Sequence, residues 1–162
     1  MTRASPLYDQ DFFLWTQEQA AALRHAKNSN LPLDWENLAE EIESLGKSDR
    51  RELRSQIRRI LRHLFKLAAS PVREPRAGWC ATINDGRGEI EDVLRDSPSL
   101  RREIEALIAD ELEPAARFAA TDLEPYGERI DAVWARLKEG GFTAEQVLGI
   151  WFPEVPARAE TG

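Results

Sequence analysis

The sequence predicts an all-α fold: an up-and-down helical bundle of about four main helices, with a long central helix and short terminal helices. Three observations carry this. Strand signals are nearly absent, with few β-branched runs, no Asn-Gly turn and no sustained alternation of apolar and polar residues. Apolar residues recur instead at three- and four-residue spacing. Clusters rich in Pro, Ser, Asn and Gly ("KNSNLPLD", "SPVREPRAG", "DSPS") separate the periodic stretches. A chain of 162 residues, 42% hydrophobic and 31% charged, suits one soluble domain. It is expected over 8–155, with flexible tails at 1–7 and 156–162.

A first helix is expected from about Asp9 to Ala26, with Phe13, Ala20 and Leu23 on one side. Asp34 is placed as an N-cap, its carboxylate accepting from the first free amides. From Trp35 the apolar series runs through Leu38, Ile42, Leu45, Leu53, Ile57, Ile60 and Leu64. At about 100° per residue the phase of this series survives Gly46. One helix from about Trp35 to Ala68 is therefore expected, with Gly46 costing on the order of 1 kcal/mol. A break at Gly46, recapped by Ser48 or Asp49, is the alternative.

The next helix, from about Ala77 to Arg95, has a seam of Trp79, Ile83, Gly86, Ile90 and Val93 or Leu94. Ser97 is expected to cap a following helix that has Pro98 at its first position. Pro114 should kink or restart that helix, because it lacks an amide and crowds the preceding turn. A short helix through Val133, Trp134 and Leu137 should stop at Gly140-Gly141. Thr143 and Gln146 form a capping box for a last short helix.

Charge is unevenly distributed. The formal net charge is −7, yet Lys47 to Arg76 contain ten Lys or Arg residues against three acids. That stretch therefore carries +7 and the remainder −14. The net charge disfavours nucleic acid as a partner. The lone cysteine, Cys80, leaves no intrachain disulfide and fits a reducing cytoplasm. The opening "MTRASPLYDQDFF" lacks a signal-peptide core and no run approaches membrane length, so no membrane association is expected.

"DFFLW", "LDWENLAEEIESLGKSDRRELRSQIRRILRHLFK", "GWCATI", "DSPSLR", "FTAEQVL" and "FPE" together resemble the bacterial DUF29 family. The resemblance spans roughly Tyr8 to Glu154. It implies an all-α, bundle-like fold and supplies no activity. Gly86 and Gly88, and the stretch from Pro114 to Lys138, depart from the family's commoner pattern.

Four constellations could carry function. Arg54, Arg58 and Arg62, with Lys47, Arg50, Arg51, Arg59 and Lys66, form a ridge turned away from the apolar face of the long helix. The plain reading is a solvated face steadied by pairs such as Glu43 with Lys47. The functional readings are a phosphate-binding ridge, as in an antitoxin-like nucleic-acid regulator, or a ridge that meets an acidic partner. His63, at the edge of the apolar stripe with Glu52 and Asp49, is a weak metal or proton-relay candidate. Asp49 and His63 stand about 21 Å apart along a helix, so ligands from elsewhere would be needed.

Asn37, Glu41, Ser44, Ser48, Ser55 and Lys66 line one flank, where small serines would admit another helix; this is the expected interface. Glu40-Glu41 point about 100° apart and cannot readily share a proton. "NDGRGE" is too short for a phosphate loop. Cys80 is read as a core residue, and no catalytic group, metal or cofactor is expected. The function that follows is a non-catalytic protein-interaction or oligomerisation module, with a nucleic-acid regulator and a small metal-dependent enzyme as alternatives.

Overall fold

The computed structural model describes residues 5–27, 29–127 and 129–158. Along the chain lie α1 (Pro6–Gln10), α2 (Phe12–Ala26), α3 (Trp35–Ala69), α4 (Arg76–Asp96), a 3-10 segment (Pro98–Glu103) and α5 (Ile104–Leu123). A 3-10 turn (Glu124–Tyr126), α6 (Ile130–Lys138) and α7 (Ala144–Leu148) follow. No strand occurs among the described residues. The tails expected at 1–7 and 156–162 fall partly outside them. The chain forms two compact units: residues up to Leu53 with Glu91–Glu103, and Arg54–Ile90 with the residues from Ile104.

In the first unit, the helix expected from Asp9 is two helices. Asp11 adopts extended backbone and its side chain accepts from the Leu14 amide at 2.9 Å, which starts α2 afresh. The same carboxylate accepts from the Ser99 amide and hydroxyl at 2.6 and 2.8 Å. The buried Asp11 carboxylate thus accepts three hydrogen bonds. Ser97, expected to cap the next helix, instead accepts from the Phe13 amide at 3.0 Å and donates to Asp49 at 2.9 Å. The segment it precedes begins as 3-10 before becoming α5.

Helix α3 is unbroken through Gly46, and Asp34 caps it by accepting from the Asn37 amide. Its apolar stripe is not buried throughout, however. Leu38 and Leu45 are 41% and 52% exposed. The buried positions in this half are Ala39 and Gly46, because α2 brings Thr16 and Phe13 against Gly46. From Leu53 onward the stripe becomes core, with Leu53, Ile57, Ile60 and Leu64 fully buried.

In the second unit, Ile83, Gly86 and Ile90 of α4 are buried as the seam predicts. A Cβ on Gly86 would lie 3.0 Å from Ile60 Cγ1, so glycine permits close approach of α4 to α3 here. Helix α5 runs on through Pro114, so the restart expected there does not occur. The carbonyl that loses its partner belongs to Asp110, an exposed residue, so no buried acceptor is stranded.

Gly140 and Gly141, at φ 107° and 70°, close α6 in left-handed backbone. The Gly141 amide reaches the Arg136 carbonyl and the Gly140 amide that of Leu137, a Schellman arrangement. Both bonds of the Thr143–Gln146 capping box are made.

Two arginines of α4 hold the final segment. Arg76 donates to the carbonyls of Leu67, Ser70 and Pro153. Arg87, 7% exposed, donates to those of Val147, Gln146 and Trp151 and lies over the Phe152 ring.

Candidate functional site

Four arginines of the ridge, Arg50, Arg54, Arg58 and Arg62, face carboxylates of their own chain, while Arg51 and Arg59 are exposed. In the second unit, Arg54 pairs with Asp110 and Glu111 at 3.4 and 3.2 Å. Arg58 donates to Glu111 at 2.5 and 3.1 Å, and Arg62 grips Asp122 with two bonds of 2.6 Å. Glu111 is 3% exposed. Such two-point pairing uses the planar fork that makes arginine suited to carboxylates. In the first unit, Arg50 donates to Glu103 and Arg24 to Glu43. The partners on α5 are 53 to 60 residues away in sequence, beyond what helical projection of α3 alone can reveal.

The residues expected as an interface flank have different surroundings. Asn37, Glu41, Ser48 and Ser55 are exposed and Ser44 is half-buried, but Lys66 is buried. Its ammonium stands 3.3 Å from Asp122 and 4.9 Å from the centre of the Trp79 ring. Asp49 is bonded to Ser97, Glu52 is exposed, and His63 Nδ1 lies 2.8 Å from the Arg59 carbonyl. Among the described residues, no three His, Cys, Asp or Glu side chains gather where they could hold a metal ion.

His63 and Lys66 share a cleft of about 970 Å³ in the second unit. Arg62 and Asp122 contribute to its wall, with Trp79 and Tyr126 as aromatic lining. Helix α3 places His63 one turn before Lys66, and α5 supplies Asp122 near its end. Burial pulls Lys66 below the ordinary lysine range, opposed by the attraction of Asp122. Burial also raises Asp122, but Arg62 and Lys66 outweigh it and hold the carboxyl below its ordinary range. His63 is lowered, first by burial and then by the charges of Lys66, Arg62 and Arg59.

A carbonyl can only accept, so His63 Nδ1 carries the proton and Nε2 keeps a lone pair. Sequence reasoning found His63 and Lys66 separately. Trp79, Asp122 and Tyr126 come from other elements and carried no signal that joined them.

His63 makes stability sensitive to acid. As pH falls through the ordinary value of 6.5, the unfolded chain takes a proton that the folded chain refuses. Stability therefore declines from pH 6.5 down to the lower folded value. Urea midpoints between pH 7 and 5 should fall for the wild type and fall less for His63→Gln. Equal slopes would remove His63 as the source.

The fold and this cleft define an all-α protein built on one long helix, with a lysine and a histidine sharing a half-open cavity. The family model for the domain of unknown function DUF29 matches residues 7–137, and the chain belongs to that family. The matched stretch ends before the "FTAEQVL" and "FPE" motifs. An α-helical protein of unknown function from Rhodospirillum rubrum, solved by crystallography, is 26% identical with a TM-score of 0.70, over 90% of each chain. No curated protein matches.

Proposed function

We propose that the protein is a non-catalytic interaction module whose docking edge is the amino-terminal half of α3 and the connector before it. The carrying observation is a run of exposed leucines: Leu31, Leu33, Leu38 and Leu45 are 60%, 49%, 41% and 52% exposed. Trp35, half-buried, lies on the same stretch. Leu38 and Leu45 lie two turns apart on α3 while Leu31 and Leu33 sit in the connector, and apolar side chains along such an edge are what a partner helix reads.

Charge selects the occupant. From Leu31 to Gly46 there are five acids and no Lys or Arg; Arg24 holds Glu36 and Glu43, which leaves Asp34, Glu40 and Glu41 to face a partner. A symmetric pairing of two copies through this edge sets acid against acid. The arginine ridge of a second copy is a poor complement, since Arg54, Arg58 and Arg62 already hold Asp110, Glu111 and Asp122. The occupant is therefore an amphipathic helix of another protein, with basic residues flanking its apolar stripe. The same occupancy of the ridge weighs against a nucleic-acid regulator. No described helix is long and apolar enough to cross a membrane.

A synthetic leucine-stripe helix flanked by lysines should bind, more tightly at low salt, and change Trp35 fluorescence. A version flanked by glutamates should not. Leu38→Glu with Leu45→Glu separates docking from charge attraction. The double variant adds two negative charges, so simple attraction would strengthen, whereas docking should weaken at least about tenfold. Unchanged or tighter binding would sink the proposal, as would a dimer in sedimentation that the double variant disperses.

A further inference from the structure

The cleft of the second unit carries an inference independent of the acidic edge. The chain has four lysines (Lys27, Lys47, Lys66 and Lys138) against eighteen arginines. Along α3 the carboxylate-binding positions Arg50, Arg54, Arg58 and Arg62 are all arginine. At the next position four residues on, the deepest of the series, stands Lys66, its side chain 9% exposed against 38% or more for those of the arginines.

A buried ion pair favours arginine, whose fork binds a carboxylate at two points and which is less strongly hydrated. Lysine is the weaker structural choice at that depth. What lysine offers instead is a primary amine that can lose its proton and act as a nucleophile.

The surroundings suit that chemistry. Lys66 opens onto the 970 Å³ cleft, and its ammonium stands 3.3 Å from the Asp122 carboxylate, which holds it at the cleft wall. The cleft wall also holds His63, with Nδ1 at the Arg59 carbonyl and a lone pair therefore on Nε2. Arg62 binds Asp122 through Nε and Nη2, so its Nη1 hydrogens are not used by that pair. Trp79 and Tyr126 offer flat surfaces to a planar ligand.

We propose that this cleft captures small planar carbonyl compounds bearing an anionic group, through an imine at Lys66. The Lys66 ammonium loses a proton to solvent. The freed lone pair adds to the carbonyl carbon, His63 Nε2 takes a proton from the nitrogen, and the carbonyl oxygen takes one from solvent to give a carbinolamine. The His63 imidazolium returns its proton to the hydroxyl, which leaves as water, and the nitrogen lone pair closes the C=N bond as a protonated imine. Arg62 meets the anionic group.

The test uses pyridoxal 5′-phosphate, an aromatic aldehyde carrying a phosphate, on the whole wild-type chain. Substoichiometric probe is added at neutral pH, the imine is reduced with borohydride, and the modified lysine is located by peptide mass spectrometry. Lys66 should be labelled at least about tenfold faster than Lys27, Lys47 and Lys138, although those three are exposed. Free inorganic phosphate should slow labelling at Lys66 and leave the other three unchanged. Lys66→Arg, which keeps charge and length, should lose the fast adduct while retaining its helical circular dichroism. Labelling of Lys66 no faster than the exposed lysines, or only after urea is added, would overturn the proposal. This wild-type comparison stands whether or not the variant folds.

Discussion

Arg87→Met is expected to release the carboxy-terminal segment from α4 and to cost roughly 3 kcal/mol. Methionine keeps an apolar stem of similar length but cannot donate. Arg87 now serves three carbonyls, those of Val147, Gln146 and Trp151, at 2.9, 2.9 and 2.7 Å. Two of these close α7, where the last carbonyls have no partner within the helix. An opposing effect must be weighed. The Arg87 guanidinium is lowered by burial, and its Nη1 has no hydrogen-bond partner, so removing the charge recovers some desolvation.

Hydrogen bonds from a charged donor contribute about 1.5–3 kcal/mol each, and three are lost. Their loss exceeds what one relieved cation returns, so the net sign is destabilising. The effect should be local first. Hydrogen exchange at the amides of 147–152 should quicken at least about a hundredfold, while α3 changes less. Arg87→Lys should lie between, since it keeps the charge but cannot fork. A variant within about 0.5 kcal/mol of wild type in urea, with unchanged exchange, would mean that Arg76 and the buried Phe142 and Val147 hold the segment without Arg87.

Local chemistry and periodicity were legible in the sequence; what covers each face was not. The continuity of α3 follows from phase conserved across Gly46, and the caps at Asp34 and Thr143–Gln146 follow from residues three apart. Asp11 could not be read this way, because its second partner, Ser99, is 88 residues distant. Leu38 and Leu45 do share a helical face with Leu53, but spacing does not say whether another helix covers it. The projection set the arginine ridge away from the apolar stripe and was blind to the carboxylates that α5 brings there. The cleft was hidden for the same reason. His63 and Lys66 are visible on one helix, whereas Asp122 and Trp79 meet them only once α4 and α5 have packed. The length and charge pattern of α3 were thus readable while the role of its flanks was not, since three-dimensional neighbours decide that role.

Gly46→Ala inverts an expectation drawn from helix propensity. In an open helix the change should stabilise by about 1 kcal/mol. Here Gly46 is buried, and an added Cβ would overlap Thr16 Oγ1 and lie 3.3 Å from Phe13 Cδ2. Thr16 has little freedom to yield. It is fully buried, and its hydroxyl donates to the Phe13 carbonyl at 2.6 Å. Overpacking a buried contact costs about 1–3 kcal/mol. The direct overlap places this case at the upper end, so the variant should be roughly 2 kcal/mol less stable once the propensity gain is included.

The cause can be isolated with a second substitution. Thr16→Ala removes the overlapping oxygen, so Gly46→Ala should be nearly neutral in that background, a coupling of about 2 kcal/mol. Thr16→Ser retains Oγ1 and should rescue little. Equal rescue by alanine and serine would place the strain on the Thr16 methyl group instead. If Gly46→Ala stabilises the wild type, the close crossing of α2 and α3 is wrong, and Gly46 is only a weak point in a long helix. The crossing also bears on the docking edge. With α2 seated against Gly46, α3 leaves Leu38 and Leu45 exposed. A glycine that costs helix stability thus keeps the leucines available to a partner.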